Sequence, residues 1–286
     1  MQLLQGGPIA KRIRREVAER ARALAEDGIV PTLVAVVTSA DPAIRSYVQS
    51  KQRTASSVGI TLVVAEPRDA TQAGLETLLD QLAQDPSVHG ILLESPLGPG
   101  LRFDDALEHL PPAKDVDGLT PTNLGRVAAG CEDDAILATT PLACIELAET
   151  LGPLTARRVG VVGRGRTVGR PLVSLLLNRD ATPTVCHTRT ADLAAALAPC
   201  DLIIVAAGRP RLVTGAHVRE GHVVIDAGIN VEGEHLVGDV DAEAVEARSV
   251  AALSPVPGGV GPVTTAIIFR NVLRAIDLQR GRRGRG

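Results

Sequence analysis

The hydrophobic and polar positions of this chain alternate in two blocks. "GGPIAKRIRREVAERARALAEDG" (6–28) spaces its apolar residues along one face of a helix that ends at Gly28. "PTLVAVVT" (31–38) is short, β-branched and Pro-bounded, the pattern of a buried strand. "SADPAIRS" turns the chain into a helix that stops at Gly59. "ITLVVAE" then reads as a strand, "TQAGLETLLDQLAQDP" as a helix and "VHGILLESP" as a further buried strand. The alternation pauses in "PPAKDVDGLTPTNLGR" (111–126), which reads as a polar loop, and "PLACIELAETLG" is a helix suited to link two domains. The second block runs strand "RRVGVVG", a helix from about Gly169, strand "TPTVCH", helix "TADLAAALAP", and strands "DLIIVAAG" and "HVVIDAG". "SPVPGGVGPVTTAIIFRNVLRAIDLQ" is a Gly/Pro loop and then a helix. The tail "RGRRGRG" reads as a frayed terminus, too charged and Gly-rich to fold alone. This order predicts an α/β protein of two βα domains around parallel sheets.

Composition narrows the function. At 286 residues, with 45% apolar and 22% charged residues and a net charge of −3, the chain has an ordinary globular profile with ample material for a core. One Tyr, two Phe and no Trp argue against base-stacking platforms, and no nucleic-acid partner is expected. Cys131, Cys144, Cys186 and Cys200 lack C-x-x-C spacing and read as buried free thiols of a reducing compartment. The six histidines show no metal-ligand spacing, so no metal is expected. Without a signal peptide or a membrane-length apolar run, the chain reads as a soluble cytoplasmic protein.

Two places carry candidate chemistry. Lys11, Lys51 and Lys114 are the lysines among 30 basic residues, and Tyr47 is the one tyrosine. Tyr47 and Lys51 stand four apart and share a helix face. A lysine, unlike an arginine, can lose its proton when its surroundings disfavour charge. The other place is "VVGRGRTVGRP" (161–171), which follows a strand and opens a helix. Its spacing, Gly163-x-Gly165-x-x-x-Gly169 with Thr167 and Val168 before the last glycine, is one residue longer than the dinucleotide fingerprint. Glycines let the backbone approach a pyrophosphate that the helix N-terminus attracts. The next strand ends in His187, Thr188 and Arg189 without an acid, and Arg164 sits in the loop; arginine suits a 2′-phosphate, so the cofactor reads as NADP.

With "YVQSK", "GILLESPL", "KDVDGLTPTNLGR", "VGVVGRGRTVGRP", "VCHTRT", "VVIDAGIN", "GDVD" and "SPVPGGVGPVTTA" in this order, the chain resembles the bifunctional methylenetetrahydrofolate dehydrogenase/cyclohydrolase family of FolD type from about Pro31 to Asn271. The resemblance implies a folate-binding catalytic domain from residues 1–138 and 262–286, its sheet closed by the C-terminal helix. It implies a Rossmann-like NADP domain from 139–261, and a homodimer formed through that domain. It implies oxidation of 5,10-methylenetetrahydrofolate by NADP⁺ and hydrolysis of the methenyl product to 10-formyltetrahydrofolate. Lys51 matches the catalytic lysine, Tyr47 a residue that stacks on folate, and Asp117 the carboxylate that grips the pterin. Pro257, Gly258, Gly259 and Pro262 would wall the folate site. Ala207, Gly208 and Ile229 would join the loop 163–169 and residues 187–189 around NADP, with Arg164 and Thr188 on the 2′-phosphate. Lys114 has no counterpart and reads as a loop charge.

Several positions depart from the family. Glu94-Ser95 replaces the usual Gln-Leu; that Gln bonds the catalytic lysine, so Glu94 is expected within hydrogen-bond reach of Lys51, holding its proton. Gly165 replaces a Ser, Ile44 a small hydroxyl residue, and Thr139-Thr140-Pro141-Leu142-Ala143 a Cys-Thr-Pro-x-Gly stretch. Short-chain dehydrogenases also use a Tyr-x-x-x-Lys pair, but after their glycine fingerprint, the reverse of the order here. A dehydrogenase with weak or lost cyclohydrolase activity, and a non-catalytic folate or NADP binder, both stay open on sequence.

Overall fold

The computed structural model describes residues 1–39, 41–233 and 235–283. Its elements begin β1 (Gln2–Leu3), α1 (Gly6–Glu26), β2 (Thr32–Val36), α2 (Pro42–Ser57), β3 (Thr61–Ala65), α3 (Gln72–Gln84) and β4 (Gly90–Leu93). Helices α4 (Phe103–Glu108), α5 (Pro121–Ala128) and α6 (Thr139–Glu149) follow. The second block contains β5 (Arg158–Val162), α7 (Gly169–Leu177), β6 (Thr182–Cys186), α8 (Leu193–Leu197), β7 (Leu202–Val205) and β8 (Val223–Asp226). It closes with β9 (Asn230–Glu232), β10 (His235–Val237), α9 (Ala242–Glu246), β11 (Ala252–Leu253) and α10 (Val260–Arg283). The chain divides into two units, Met1–Lys11 with Ala138–Thr264, and Arg12–Leu137 with the residues from Thr265 onward.

In the unit that starts at Arg12, β3, β2 and β4 form a parallel sheet in that order, with Val34 beside Val63 and Ile91. Leu33 to Val37 are buried without a break, as a central parallel strand requires, while edge strand β3 exposes Val63 and Val64. Buried Phe269 and Ile276 bring α10 into this core. Two amides fasten the helix: Asn271 Nδ2 donates to the Val116 and Leu137 carbonyls at 2.9 and 3.0 Å, and Gln279 Nε2 to those of His89 and Ala113 at 2.9 and 3.0 Å.

The other unit holds a six-stranded parallel sheet, ordered β1-β11-β8-β7-β5-β6. The chain moves outward from β5 to β6, then returns past β5 to β7. That reversal opens a crevice at the strand C-termini, the usual ligand position in such sheets. Strands β1 and β11 and the antiparallel hairpin β9–β10 escape a sequence reading because runs of two or three residues carry no measurable period.

Four expectations need correction. The stretch 111–126 is not simply a polar loop: Pro121 starts α5 as an N-terminal proline can, and Asn123 is fully buried. Lys114 is not a solvated charge; it is buried, and its amine donates to the Leu82 and Asp85 carbonyls at 3.2 and 2.7 Å, capping the end of α3. Cys131 is exposed, although Cys144, Cys186 and Cys200 are buried and all four are free. Helix α10 also continues through Gly281 to Arg283, since adding residues to a formed helix costs far less than nucleating one; residues 284–286 of the tail lie outside the described set. No helix among the described residues is long and apolar enough to cross a membrane.

Candidate active site

Helix α2 buries Ile44, Val48 and Ala55 on its inner face, with Ile44 and Val48 packed against Ala35 and Val37. The departure at Ile44 is therefore a core contact. Tyr47 and Lys51 lie on an adjacent stripe. Tyr47 is half exposed, and the Lys51 amine sits 4.4 Å from the centre of its ring, within cation–π range. The Tyr47 hydroxyl lies 3.5 Å from that of Thr265 on α10. No sequence reading singled out Thr265, although "GPVTTA" contains it.

Glu94 completes this constellation. Its N–H donates to the Val36 carbonyl at 3.0 Å, which continues the β2–β4 ladder and aims its side chain from the strand end. Lys51 Nζ donates to both carboxylate oxygens at 2.7 Å, as the sequence led us to expect. Lys51 is 4% and Glu94 6% exposed. Burying either ion alone would cost several kcal/mol, and the two-pronged geometry offsets most of that.

Asp117 reaches the same strand end. Asp115 forms a parallel bridge with Ile91 of β4, and Asp117, half-buried, lies two residues further along the chain. The bend is shaped by Asp115, which sequence reasoning passed over. Its buried carboxylate accepts from Gly118 N at 2.9 Å, Thr120 N at 2.7 Å and Asn123 Nδ2 at 3.1 Å. Burial pushes the Asp115 carboxyl up, and these hydrogen bonds pull it partly back.

In the six-stranded unit the glycines of the loop differ in purpose. Gly163 has φ +112, and a side chain there would strike the Ala206 carbonyl. Gly169 is pressed on the Gly163 carbonyl, but a side chain at Gly165 would meet nothing. Gly163 and Gly169 thus fold the loop tightly onto the N-terminus of α7, while Arg164, Gly165 and Thr167 are exposed at its rim and Val168 is half-buried. After β6, His187 Nδ1 accepts from Arg189 N at 3.1 Å and Thr190 Oγ1 from His187 N at 2.9 Å, leaving Thr188 and Arg189 exposed. This tight backbone cradle, with arginines after β5 and β6, fits a dinucleotide with an extra phosphate.

Two buried aspartates support the crevice. The Ala207 and Gly208 amides donate to Asp239 Oδ2 at 2.6 and 2.8 Å, and Arg209 N to Oδ1 at 2.9 Å. These amides therefore shape the loop after β7. Asn230 Nδ2 adds a fourth donor at 2.9 Å. Asp226, ending β8, accepts from Gly228 N, Asp239 N and Val240 N at 2.9–3.0 Å. Burial pushes the Asp226 carboxyl up to about 6, with Asp239 adding to the rise. Ile229 is exposed before β9. Pro257 and Gly258 are exposed and Gly259 is buried, its N–H donating to Pro255 O at 2.8 Å; Pro262 is half-buried, and these four belong to this unit.

Comparison with known proteins agrees with both halves. The family model described as tetrahydrofolate dehydrogenase/cyclohydrolase, catalytic domain, matches residues 4–117, and the one for the NAD(P)-binding domain matches 138–280. The chain is 46% identical over 285 residues to the bifunctional protein FolD of Heliobacterium modesticaldum, covering 98% of each. It resembles the crystal structure of the bifunctional FolD dehydrogenase/cyclohydrolase from Campylobacter jejuni, with a TM-score of 0.90 and 38% identity over 97% of this chain and 99% of that one. The Trypanosoma brucei enzyme, solved with NADP cofactor and inhibitor, gives a TM-score of 0.88 and 34% identity over 98% of both chains.

Proposed function

The chain belongs to the tetrahydrofolate dehydrogenase/cyclohydrolase family, and we propose that it oxidises 5,10-methylenetetrahydrofolate with NADP⁺ and hydrolyses the methenyl product to 10-formyltetrahydrofolate. The observation that carries this reading is the buried Lys51 amine between the Tyr47 ring and the Glu94 carboxylate, in a chain that also folds the glycine cradle at β5. NADP⁺, when bound, supplies the hydride acceptor. Arg164 and Thr188 hold its 2′-phosphate, and the loop 163–169 meets its pyrophosphate with backbone N–H groups.

On the folate side, Tyr47 offers a ring face to the planar substrate and Asp117 accepts hydrogen bonds from the pterin amino and amide groups. Hydride transfer needs these contacts chiefly for alignment. Hydrolysis adds water to the methenyl carbon, breaks one carbon–nitrogen bond and releases one proton overall. Lys51 takes the proton from the attacking water and returns one to the ring nitrogen as it leaves. One assay following NADPH formation together with methenyl-folate appearance and decay tests the reading. Both signals are expected, and a protein that forms no NADPH from the folate substrate and NADP⁺ overturns it.

The chain also assembles as a homodimer in this reading. What supports it is the outer edge of β6, open in the sheet order, with Val185 exposed on the strand and Leu177 exposed at the end of α7. Light scattering at micromolar concentration should return twice the chain mass; a monomer mass would remove this assembly.

A further inference from the structure

The Lys51–Glu94 pair has a consequence for how the two reactions of the site are balanced. Lys51 is held by both oxygens of one carboxylate at equal distances of 2.7 Å, and both side chains are nearly out of water. A buried carboxylate in this geometry favours the ammonium form of its partner over the neutral amine. The Tyr47 ring, facing the same nitrogen, favours the cation too. Helix α10 contributes the uncharged Thr265, whose hydroxyl lies near that of Tyr47. Of the two groups placed against the Lys51 amine, Glu94 carries a carboxylate and Tyr47 presents an electron-rich face, and neither repels a proton from Lys51.

We propose that Glu94 is a positioning residue that keeps Lys51 protonated, so that hydrolysis near neutral pH is limited by the fraction of neutral amine while oxidation is not. This rests on the folate reading above. In the hydrolytic step the amine must accept a proton from water, which an ammonium cannot do. Its own proton must first pass to solvent or onto the Glu94 carboxylate. In the oxidation step a hydride moves between carbon atoms and Lys51 need not change its charge. The two activities of one site therefore respond differently to the same carboxylate.

The test replaces the charge while preserving the shape. Glu94→Gln should raise the ratio of hydrolysis to oxidation at pH 7 about tenfold and move the rise of hydrolysis about one pH unit lower, one unit being a tenfold change in the neutral fraction. Glu94→Asp retains the charge and should move the profile less. Nitrogen NMR of the side-chain amines gives a readout apart from turnover, because Lys11, Lys51 and Lys114 are the chain's only lysines. The midpoint of the Lys51 signal should fall in Glu94→Gln. Superimposable parent and Glu94→Gln profiles with an unmoved Lys51 signal overturn the proposal, as does a Glu94→Gln profile moved no further than that of Glu94→Asp. A parent protein with neither activity at any pH overturns instead the reading on which the proposal rests.

Discussion

In the three-stranded unit, Glu94 ends β4 with its carboxylate directed at an amine. In the six-stranded unit, Asp226 ends β8 with its carboxylate directed at three peptide N–H groups, and Asp239 receives three more together with an amide side chain. All three are buried; Glu94 and Asp226 stand at the C-terminal ends of parallel strands, and Asp239 follows the antiparallel hairpin β9–β10. Their partners make the difference. A peptide N–H does not titrate, so Asp226 and Asp239 position loops and leave binding to the backbone around them. A lysine amine does titrate, so Glu94 bears on chemistry. Asp115 shows that the partner matters more than the unit: it lies in the three-stranded unit, yet it binds backbone and shapes a bend.

The strongest way to break this contrast is to remove the amine. Lys51→Met should lower methenyl-folate hydrolysis by at least about a hundredfold, the usual scale of a lost acid–base group. It should also cost about 3 kcal/mol of stability, because Glu94 is left buried and unpaired. Urea unfolding and the hydrolysis assay read the two effects, and a parent-like hydrolysis rate would take Lys51 out of the reaction.

Asp239→Asn attacks the scaffold side. One amide oxygen cannot accept from four donors, and its NH₂ group would face N–H groups, so a loss of about 2–3 kcal/mol is expected. The KM for NADP⁺ should rise while methenyl-folate hydrolysis changes little. A hydrolysis defect as large as that of Lys51→Met would erase the distinction between the two kinds of carboxylate.

A pH series sharpens the comparison without changing charge by mutation at the active site. The Asp226 carboxyl is raised from 3.8 to about 6 in the folded protein. Below about pH 4 both folded and unfolded chains hold the proton, and this contribution to stability is fully present. It declines as pH rises toward 6 and is absent above that, a change of about 3 kcal/mol. Asp226→Asn should flatten that limb of the urea-derived stability profile; an unchanged slope would show that Asp226 does not carry it. The smallest effect is expected at Arg164, an exposed contact. Arg164→Ala should reduce the preference for NADP⁺ over NAD⁺ in kcat/KM about tenfold, or about 1.4 kcal/mol. Equal preference in parent and variant would assign the 2′-phosphate to other groups.

Much of this architecture is legible in the chain. The runs at Leu33–Val37, Gly90–Leu93, Leu202–Val205 and Val223–Asp226 are buried on both faces, and continuous burial is written as continuous hydrophobicity. The four-residue spacing of Tyr47 and Lys51 needs only the pitch of a helix to become a shared stripe, and the loop at β5 needs only its glycines and the strand before it. The polar residues of 111–126 were harder to place. Lys114, Asp115 and Asn123 have the composition of a solvated loop, yet each is buried: Lys114 is answered by carbonyls at the end of α3, and Asp115 and Asn123 by backbone groups of the stretch itself, folded back on them.

The sequence by itself determined the order of strands and helices, the face shared by Tyr47 and Lys51, the tight turn at Gly163 and the presence of a carboxylate at position 94. These follow from local geometry and hydrophobic period, which act over a few residues. Only the tertiary structure decided which carboxylates hold backbone, that both oxygens of Glu94 meet the Lys51 amine, that Lys114 caps α3, and that Thr265 meets Tyr47. A buried polar group takes its character from the donors and acceptors that surround it. For Lys51, Lys114 and Asp239 those partners come from strands and loops tens of residues away.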